Sequence, residues 1–114
     1  YSMPPAHGAL LAGKVLTDSA LRQSWEQELI GMCERINGLR SALVEKLGAA
    51  TGRDFEFIRR EKGMFSFLGL TQDQVARLRE EHSVYMLGSS RINVAGVNAR
   101  NIDYLADAIG SVLS

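Results

Sequence analysis

Apolar residues recur every three or four positions through the first half of the chain, the spacing that places them on one face of a helix. The longest run follows Asp18 and Ser19, either of which can cap a first helical turn. It predicts one long amphipathic helix that ends within 48–52, and we expect Trp25 and Leu29 on its apolar face to be buried. That face comprises Leu21, Trp25, Leu29, Met32 or Cys33, Ile36, Leu39, Leu43 and Leu47.

Three further helices are predicted from their start signals. Two prolines at positions 4 and 5 suit a helix entry, and the pattern after them predicts a helix over 4–16. Thr71 and Gln74 have the spacing of a capping box, which predicts a helix from Thr71 to about His82. Asn98 is a competent cap for a last helix. Its inward-facing residues are predicted to be Ile102, Leu105, Ile109 and Leu113.

Four short segments predict β-strands by alternation or by β-branched and aromatic content: 55–58, 64–68, 84–87 and 92–94. Glu61-Lys62-Gly63 predicts a hairpin turn between the first two, and Gly88-Ser89-Ser90 predicts a polar turn between the last two. Helices and strands in this order predict the α+β class, with a small sheet covered by helices. We find no repeat or linker, so residues 1–114 are expected to form a single domain.

Composition narrows the class of protein without identifying it. The 114 residues are 46% hydrophobic and 23% charged, which is ordinary for a globular domain. Thirteen basic residues balance thirteen acidic ones, so nothing indicates a nucleic-acid partner, and no apolar run is long enough to span a membrane. With no signal-peptide pattern and one cysteine, we expect a cytoplasmic protein in which Cys33 is a buried thiol.

The residue that most needs a chemical explanation is Arg91, which stands between a flexible turn and an apolar strand. Its guanidinium could bind a planar carboxylate through two parallel hydrogen bonds. Spacing alone favours the simpler alternative, a solvated arginine at the end of a strand. Phe65 and Phe67 are likewise better explained as core residues than as a ligand platform. We find no nucleophile–base pair, metal-ligand cluster or phosphate-binding glycine loop in the pattern.

Three segments in one order change this interpretation: Tyr1-Ser2-Met3-Pro4-Pro5-Ala6-His7-Gly8, Gly63-Met64-Phe65-Ser66-Phe67-Leu68-Gly69-Leu70-Thr71 and Ser90-Arg91-Ile92-Asn93-Val94-Ala95-Gly96. Each resembles a segment of the aspartate and aromatic aminotransferases, the class I branch of the fold-type-I pyridoxal-phosphate enzymes. The resemblance extends from Tyr1 to about Leu113. It implies the C-terminal small domain of such an enzyme, without the large domain that binds the cofactor. Part of the apolar face with Trp25 and Leu29 is then expected to be buried against that domain and to be exposed in the fragment alone.

The resemblance also implies roles for particular residues. Arg91 occupies the position that grips the substrate α-carboxylate, and Phe65 occupies a position that lines the substrate pocket. Asn93 and Gly96 match the same motif as structural residues that fix the backbone behind the arginine. Tyr1-Ser2 matches a segment that reaches a neighbouring site across the interface of a homodimer. No catalytic, cofactor-binding or metal-binding residue is implied within this chain.

The implied parent enzyme transfers an amino group from aspartate or an aromatic amino acid to a 2-oxo acid such as 2-oxoglutarate. Its pyridoxal 5'-phosphate would be held by the missing large domain, because Lys14, Lys46 and Lys62 do not lie in the family's Schiff-base motif. The isolated fragment is therefore expected to be inactive. Met3 and Ser90 depart from the family's usual Asn and Gly. The alternative is a stand-alone, non-catalytic binding domain with the same fold.

Overall fold

Five α-helices and one two-stranded sheet make up the part of the chain that the computed structural model describes, residues 3–114. The chain divides into two compact units, Tyr1–Arg35 and Ile36–Ser114, and helix α2 contributes residues to both. None of the described helices is long and apolar enough to cross a membrane. In chain order the elements are α1 (Ala6–Thr17), α2 (Ser19–Thr51), α3 (Glu56–Arg60), β1 (Phe65–Phe67), α4 (Gln72–His82), β2 (Arg91–Asn93), a 3-10 turn (Val94–Gly96) and α5 (Ile102–Leu113).

The first unit contains α1 and the first part of α2. Helix α2 starts where the sequence predicts, whereas α1 begins at Ala6, two residues after the predicted start at Pro4. Helix α1 follows Pro5, whose extended backbone forms the N-cap. At the start of α2, the Asp18 carboxylate accepts hydrogen bonds from the backbone N–H groups of Ala20 (3.1 Å) and Leu21 (3.2 Å). These bonds satisfy two of the donors that the first turn of a helix leaves unpaired.

The apolar face of α2 is exposed over its first part. Trp25 is 43% exposed and Leu29 is 41% exposed, and Cys33 is also exposed rather than buried. A periodic stripe shows that a helix has an apolar face, but burial depends on what packs against that face. The buried residues of α2 begin at Arg40 and all belong to the second unit.

The second unit has the hydrophobic core. Side chains from α2, α3, α4, α5 and the sheet meet there, and each fully buried aliphatic residue contributes about 1.5–3 kcal/mol of transfer free energy. The innermost apolar residues, none of which is exposed to solvent, are Leu43, Leu47, Ile58, Leu78, Val94 and Ile109. Helices that cover a small antiparallel sheet confirm the predicted α+β class.

The predicted capping box of α4 is confirmed in both of its hydrogen bonds. The Thr71 hydroxyl accepts from the Gln74 N–H at 3.2 Å, and the Gln74 side chain accepts from the Thr71 N–H at 2.9 Å. Helix α5 begins three residues later than we expected after Asn98, with Asn101 at its N-cap. Asn98 instead forms the turn before the helix, where its carbonyl accepts from the Ile102 N–H.

The predicted strand over 55–58 is wrong, because these residues lead into and form helix α3. Phe55 and Ile58 are the two buried residues, and their spacing of three matches a helical turn rather than the alternation of a strand. The Ile58 N–H donates to the Phe55 carbonyl at 3.0 Å. Glu61-Lys62-Gly63 therefore connects a helix to a strand and is not a hairpin turn.

The predicted strand over 84–87 is also absent, since these residues have no regular structure and no strand pairs with them among residues 3–114. The sheet there consists of β1 and β2 alone, antiparallel, with Ser66 opposite Ile92. Arg91 lies within β2, and the backbone turns into a 3-10 helix at Val94. This pairing is the feature that brings the two predicted site residues together.

Candidate functional site

The pairing of β1 with β2 places Arg91 and Phe65 on the same exposed face of the sheet. Side chains alternate between faces along a strand, so Phe65 and Phe67 point outward while Ser66 points into the core. Arg91 is paired with Phe67, and its side chain reaches diagonally toward Phe65. The guanidinium carbon lies 4.7 Å from the centroid of the Phe65 ring, a cation–π contact.

Both residues line an open depression of about 790 Å³ on the second unit. Its walls are mostly apolar or aromatic, with a few polar groups, as is common for sites that take small molecules. Within residues 3–114 no carboxylate forms an ion pair with Arg91, so its donors are available to an anion. The lining residues are Phe65, Ser83, Val84, Tyr85, Met86, Leu87, Arg91, Ile92, Asn93, Gly96, Val97, Asn101, Tyr104 and Leu105.

The backbone behind Arg91 is held by side-chain amides. The Asn93 side chain accepts a hydrogen bond from the Ala95 N–H at 3.0 Å and so caps the 3-10 turn. Asn101 donates from its side-chain nitrogen to the Gly96 carbonyl at 3.0 Å. Asn93 and Gly96 therefore have structural contacts of the kind the motif implies, and both also border the depression.

Ser90 is buried rather than part of a solvated turn, and its exposed fraction is only 1%. Its φ of 63° lies in the left-handed region, which favours glycine. The hydroxyl accepts a hydrogen bond from the Leu70 N–H at 3.0 Å, and the Ser90 carbonyl accepts from the Leu68 N–H at 3.0 Å. The serine thus adopts a glycine-like backbone and adds a contact that glycine cannot make.

Sequence reasoning missed Arg40, which lies in the core of the second unit with an exposed fraction of 1%. Its guanidinium donates to the carbonyls of Ile58 (2.9 Å), Gly63 (2.7 Å) and Phe65 (2.9 Å), and to the Ser66 hydroxyl (2.5 Å). The sequence contained one signal: Arg40 falls between Ile36 and Leu43 on the apolar stripe of α2, where a charged residue requires a buried partner.

Pyridoxal phosphate does not fit this depression as a covalently held group, because none of the lining residues is a lysine. Lys46 lies on α2 and forms an ion pair with Asp103 at 2.5 Å, and Lys14 pairs with Asp18 in the first unit. The hydrogen bond that the Lys46 ammonium donates to Asp103 raises the pKa of this amine, whereas a Schiff-base lysine is activated by a lowered pKa. Tyr1-Ser2, the segment implied to reach a partner's site, lies outside the described residues.

Comparison with known proteins identifies the family. A family model described as aminotransferase class I and II matches residues 1–109. The chain belongs to this family. An aspartate aminotransferase of Salmonella typhi is 51% identical over 114 residues, which cover 99% of this chain and 29% of the relative. The chain therefore spans less than a third of that relative.

Solved structures share the fold over the same extent. An aromatic-amino-acid aminotransferase of Burkholderia pseudomallei, covalently bound to pyridoxal phosphate, has a TM-score of 0.95 at 50% identity, over 100% of this chain and 29% of that chain. An aromatic amino acid aminotransferase with 3-indolepropionic acid has a TM-score of 0.89 at 44% identity, over 96% of this chain and 28% of that chain. The relatives thus include enzymes named for aspartate and enzymes named for aromatic amino acids.

Proposed function

We propose that this chain is the C-terminal part of a pyridoxal-phosphate-dependent aminotransferase and that it supplies recognition of the substrate α-carboxylate. The single observation that supports this role most strongly is the stacking of Arg91 on Phe65 at the edge of the depression. The proposed substrates are an amino acid, either aspartate or an aromatic one, and a 2-oxo acid acceptor. Arg91 binds their common carboxylate, and Phe65 forms the wall beside it.

The side chains of Arg91 and Phe65 are chemically suited to binding a carboxylate. A guanidinium presents its N–H donors in its own plane, in a fork that matches the two oxygens of a carboxylate. Contact with the face of the Phe65 ring restricts how the Arg91 side chain rotates. A carboxylate bound here forms charge-assisted hydrogen bonds, worth roughly 1.5–3 kcal/mol when partly shielded from water.

The cofactor belongs to the remainder of the enzyme in this proposal. Pyridoxal phosphate carries the amino group between the amino acid and the 2-oxo acid, and the protein supplies binding and orientation. We further propose that the enzyme is a homodimer and that Tyr1-Ser2 reaches the neighbouring site. A cytoplasmic location stays a prediction.

The decisive experiment separates the carboxylate from the rest of a ligand. Isothermal titration calorimetry of the full-length enzyme compares 3-indolepropionic acid, which is ionised at neutral pH, with its neutral amide. Wild type should prefer the acid, and Arg91→Leu should weaken binding of the acid about ten- to hundredfold while the amide is little changed. An Arg91→Leu enzyme that folds and keeps the full preference for the acid would show that this residue does not bind the carboxylate.

The 114 residues alone should not transaminate, because the depression offers no amine to the cofactor. An absorbance titration with pyridoxal phosphate and an assay with aspartate and 2-oxoglutarate test this on the purified fragment. Turnover, or a stoichiometric adduct on one of its lysines, would contradict the assigned roles. The rival function, a stand-alone binding domain, would be favoured by a parent reading frame that lacks the Schiff-base lysine.

A further inference from the structure

We propose that Arg40 is a positioning residue for the carboxylate site: it fixes strand β1 so that the Phe65 ring lies under the Arg91 guanidinium. The inference rests on the proposed function, since it gives Arg40 a role in aligning the group that binds the carboxylate. Arg40 itself lies on helix α2 and is not among the residues that line the depression. Its influence on a ligand therefore passes through β1.

Arg40 lies on the side of β1 that faces away from β2. One edge of this strand is paired with β2, through contacts such as the Val94 N–H donating to the Met64 carbonyl at 2.7 Å. The carbonyls of Gly63 and Phe65 face the other way and both accept from the same guanidinium nitrogen of Arg40, at 2.7 and 2.9 Å. In a wider sheet, a third strand would donate to such carbonyls. Here Arg40 takes that place.

Arg40 makes further contacts that anchor it against β1 and α3. Its other terminal nitrogen donates to the Ser66 hydroxyl at 2.5 Å and to the Ile58 carbonyl at 2.9 Å, so β1 is held through its backbone and through a side chain. A Glu61 oxygen lies 3.5 Å from that nitrogen and balances the buried charge. Both terminal nitrogens of Arg40 therefore have acceptors within the protein, and its Nε is buried without a hydrogen-bond partner.

Phe65 connects the contacts of Arg40 to the ligand site. Phe65 carries both contacts at once: its carbonyl accepts from Arg40, and its ring supports Arg91 at 4.7 Å. A small shift of the β1 backbone at this residue moves the ring directly. The geometry of a bidentate contact is sensitive to displacements of this kind. Arg40 and Arg91 are thus coupled through a single residue, with no direct contact required.

The test uses Arg40→Lys in the full-length enzyme, because lysine keeps the charge but cannot span both pairs of acceptors. Binding of 3-indolepropionic acid should weaken about two- to fivefold, the loss expected when an exposed cation–π contact is removed, while binding of the neutral amide should be unchanged. Two controls isolate the effect. Arg53→Lys makes the same change at an exposed arginine bonded to the Leu113 carbonyl, and Val112→Ala destabilises the core outside the Arg40 cluster. Both should leave the preference for the acid intact.

A double-mutant cycle gives the sharpest readout. In a Phe65→Leu background, Arg40→Lys should cause no further loss of preference for the acid, because the ring through which it acts is gone. If Arg40→Lys lowers the melting temperature but leaves the acid-to-amide ratio at the wild-type value, Arg40 is only structural and the inference is overturned. A loss equal in both backgrounds overturns it as well.

Two further variants test the positioning role and the proposed function separately. If Arg40→Lys does not yield folded enzyme, Ser66→Ala removes one of the four contacts and is measured in the same way, with the same expected selective loss. Arg91→Leu reports on the proposed function separately. Should Arg91→Leu abolish the preference while the Arg40 and Ser66 variants retain it, the proposed function stands and only the positioning role fails.

Discussion

Arg91 and Phe65 come from different motifs, 26 positions apart, and the structure stacks the guanidinium of one on the ring of the other at 4.7 Å. The contact requires the antiparallel pairing of β1 with β2, which sets Phe67 opposite Arg91 and leaves Phe65 on the diagonal. Phe65 remains 45% exposed, so a ligand can reach both groups. Arg91 and Phe65 therefore form a binding surface before a ligand is present. Substituting each residue alone should reveal its separate effect on carboxylate binding.

Phe65→Leu should weaken carboxylate binding without abolishing it. The substitution removes the π-face and keeps an apolar side chain, so we expect a loss of about 0.5–1 kcal/mol, or roughly two- to fivefold in affinity for 3-indolepropionic acid. Phe67→Leu is the matched control, because Phe67 is similarly exposed, lies on the same strand face and does not line the depression. Equal losses in the two variants would mean that the stacking itself has no effect on binding.

Ser90 offers a prediction about stability in which two substitutions should differ. Ser90→Ala leaves the Leu70 N–H without its hydroxyl partner, which should cost about 1–3 kcal/mol. Ser90→Gly loses the same hydrogen bond but relieves the left-handed backbone, so it should be roughly 1 kcal/mol more stable than the alanine variant. Chemical unfolding of the full-length enzyme measures both. An alanine variant as stable as wild type would exclude the hydroxyl as an important partner.

The N-cap of α2 should weaken in acid. Hydrogen bonding from the Leu21 N–H, followed by the Lys14 ammonium, holds the pKa of Asp18 below its usual value of 3.8. A carboxyl with a lowered pKa stabilises the folded state above its unfolded pKa, and this contribution is lost as pH falls through the folded pKa. Hydrogen exchange at Leu21 should therefore accelerate below about pH 4, beyond the intrinsic pH dependence of exchange. Asp18→Asn, which keeps a capping oxygen that does not titrate, should not show this acceleration.

Local signals in the sequence predicted local structure well. The capping box of Thr71 and Gln74 and the cap at Asp18 are each made by residues within three positions of their partners, so their spacing contains the information needed. The segment 55–58 failed because a short apolar run fits both a strand and a helical turn. The segment 84–87 has strand-like composition, but a strand also requires a partner, which local pattern cannot supply.

The candidate site could not be predicted from the spacing of residues alone. Residues alone favoured a solvated arginine at position 91, and only the resemblance to aminotransferases singled out Arg91 together with Phe65. Arg40 was missed by both routes, since its acceptors lie 18 to 26 positions away and are mostly backbone carbonyls. Because every residue has a backbone carbonyl, the amino-acid type does not show which carbonyl accepts a hydrogen bond. The charged position within an apolar stripe was the one available sign.

Arg91→Lys tests whether the fork of donors matters beyond the charge. Lysine retains a positive charge near the carboxylate but presents a compact ammonium in place of two parallel N–H donors. We expect kcat/KM of the full-length enzyme to fall less than in Arg91→Leu, where the loss should be about ten- to hundredfold, yet to stay clearly below wild type. The α-carboxylate is common to all substrates, so the penalty should be similar for aspartate and for phenylalanine. Steady-state kinetics with both substrates measure it, and circular dichroism confirms folding. A defect confined to aspartate would instead assign Arg91 to the side-chain carboxylate.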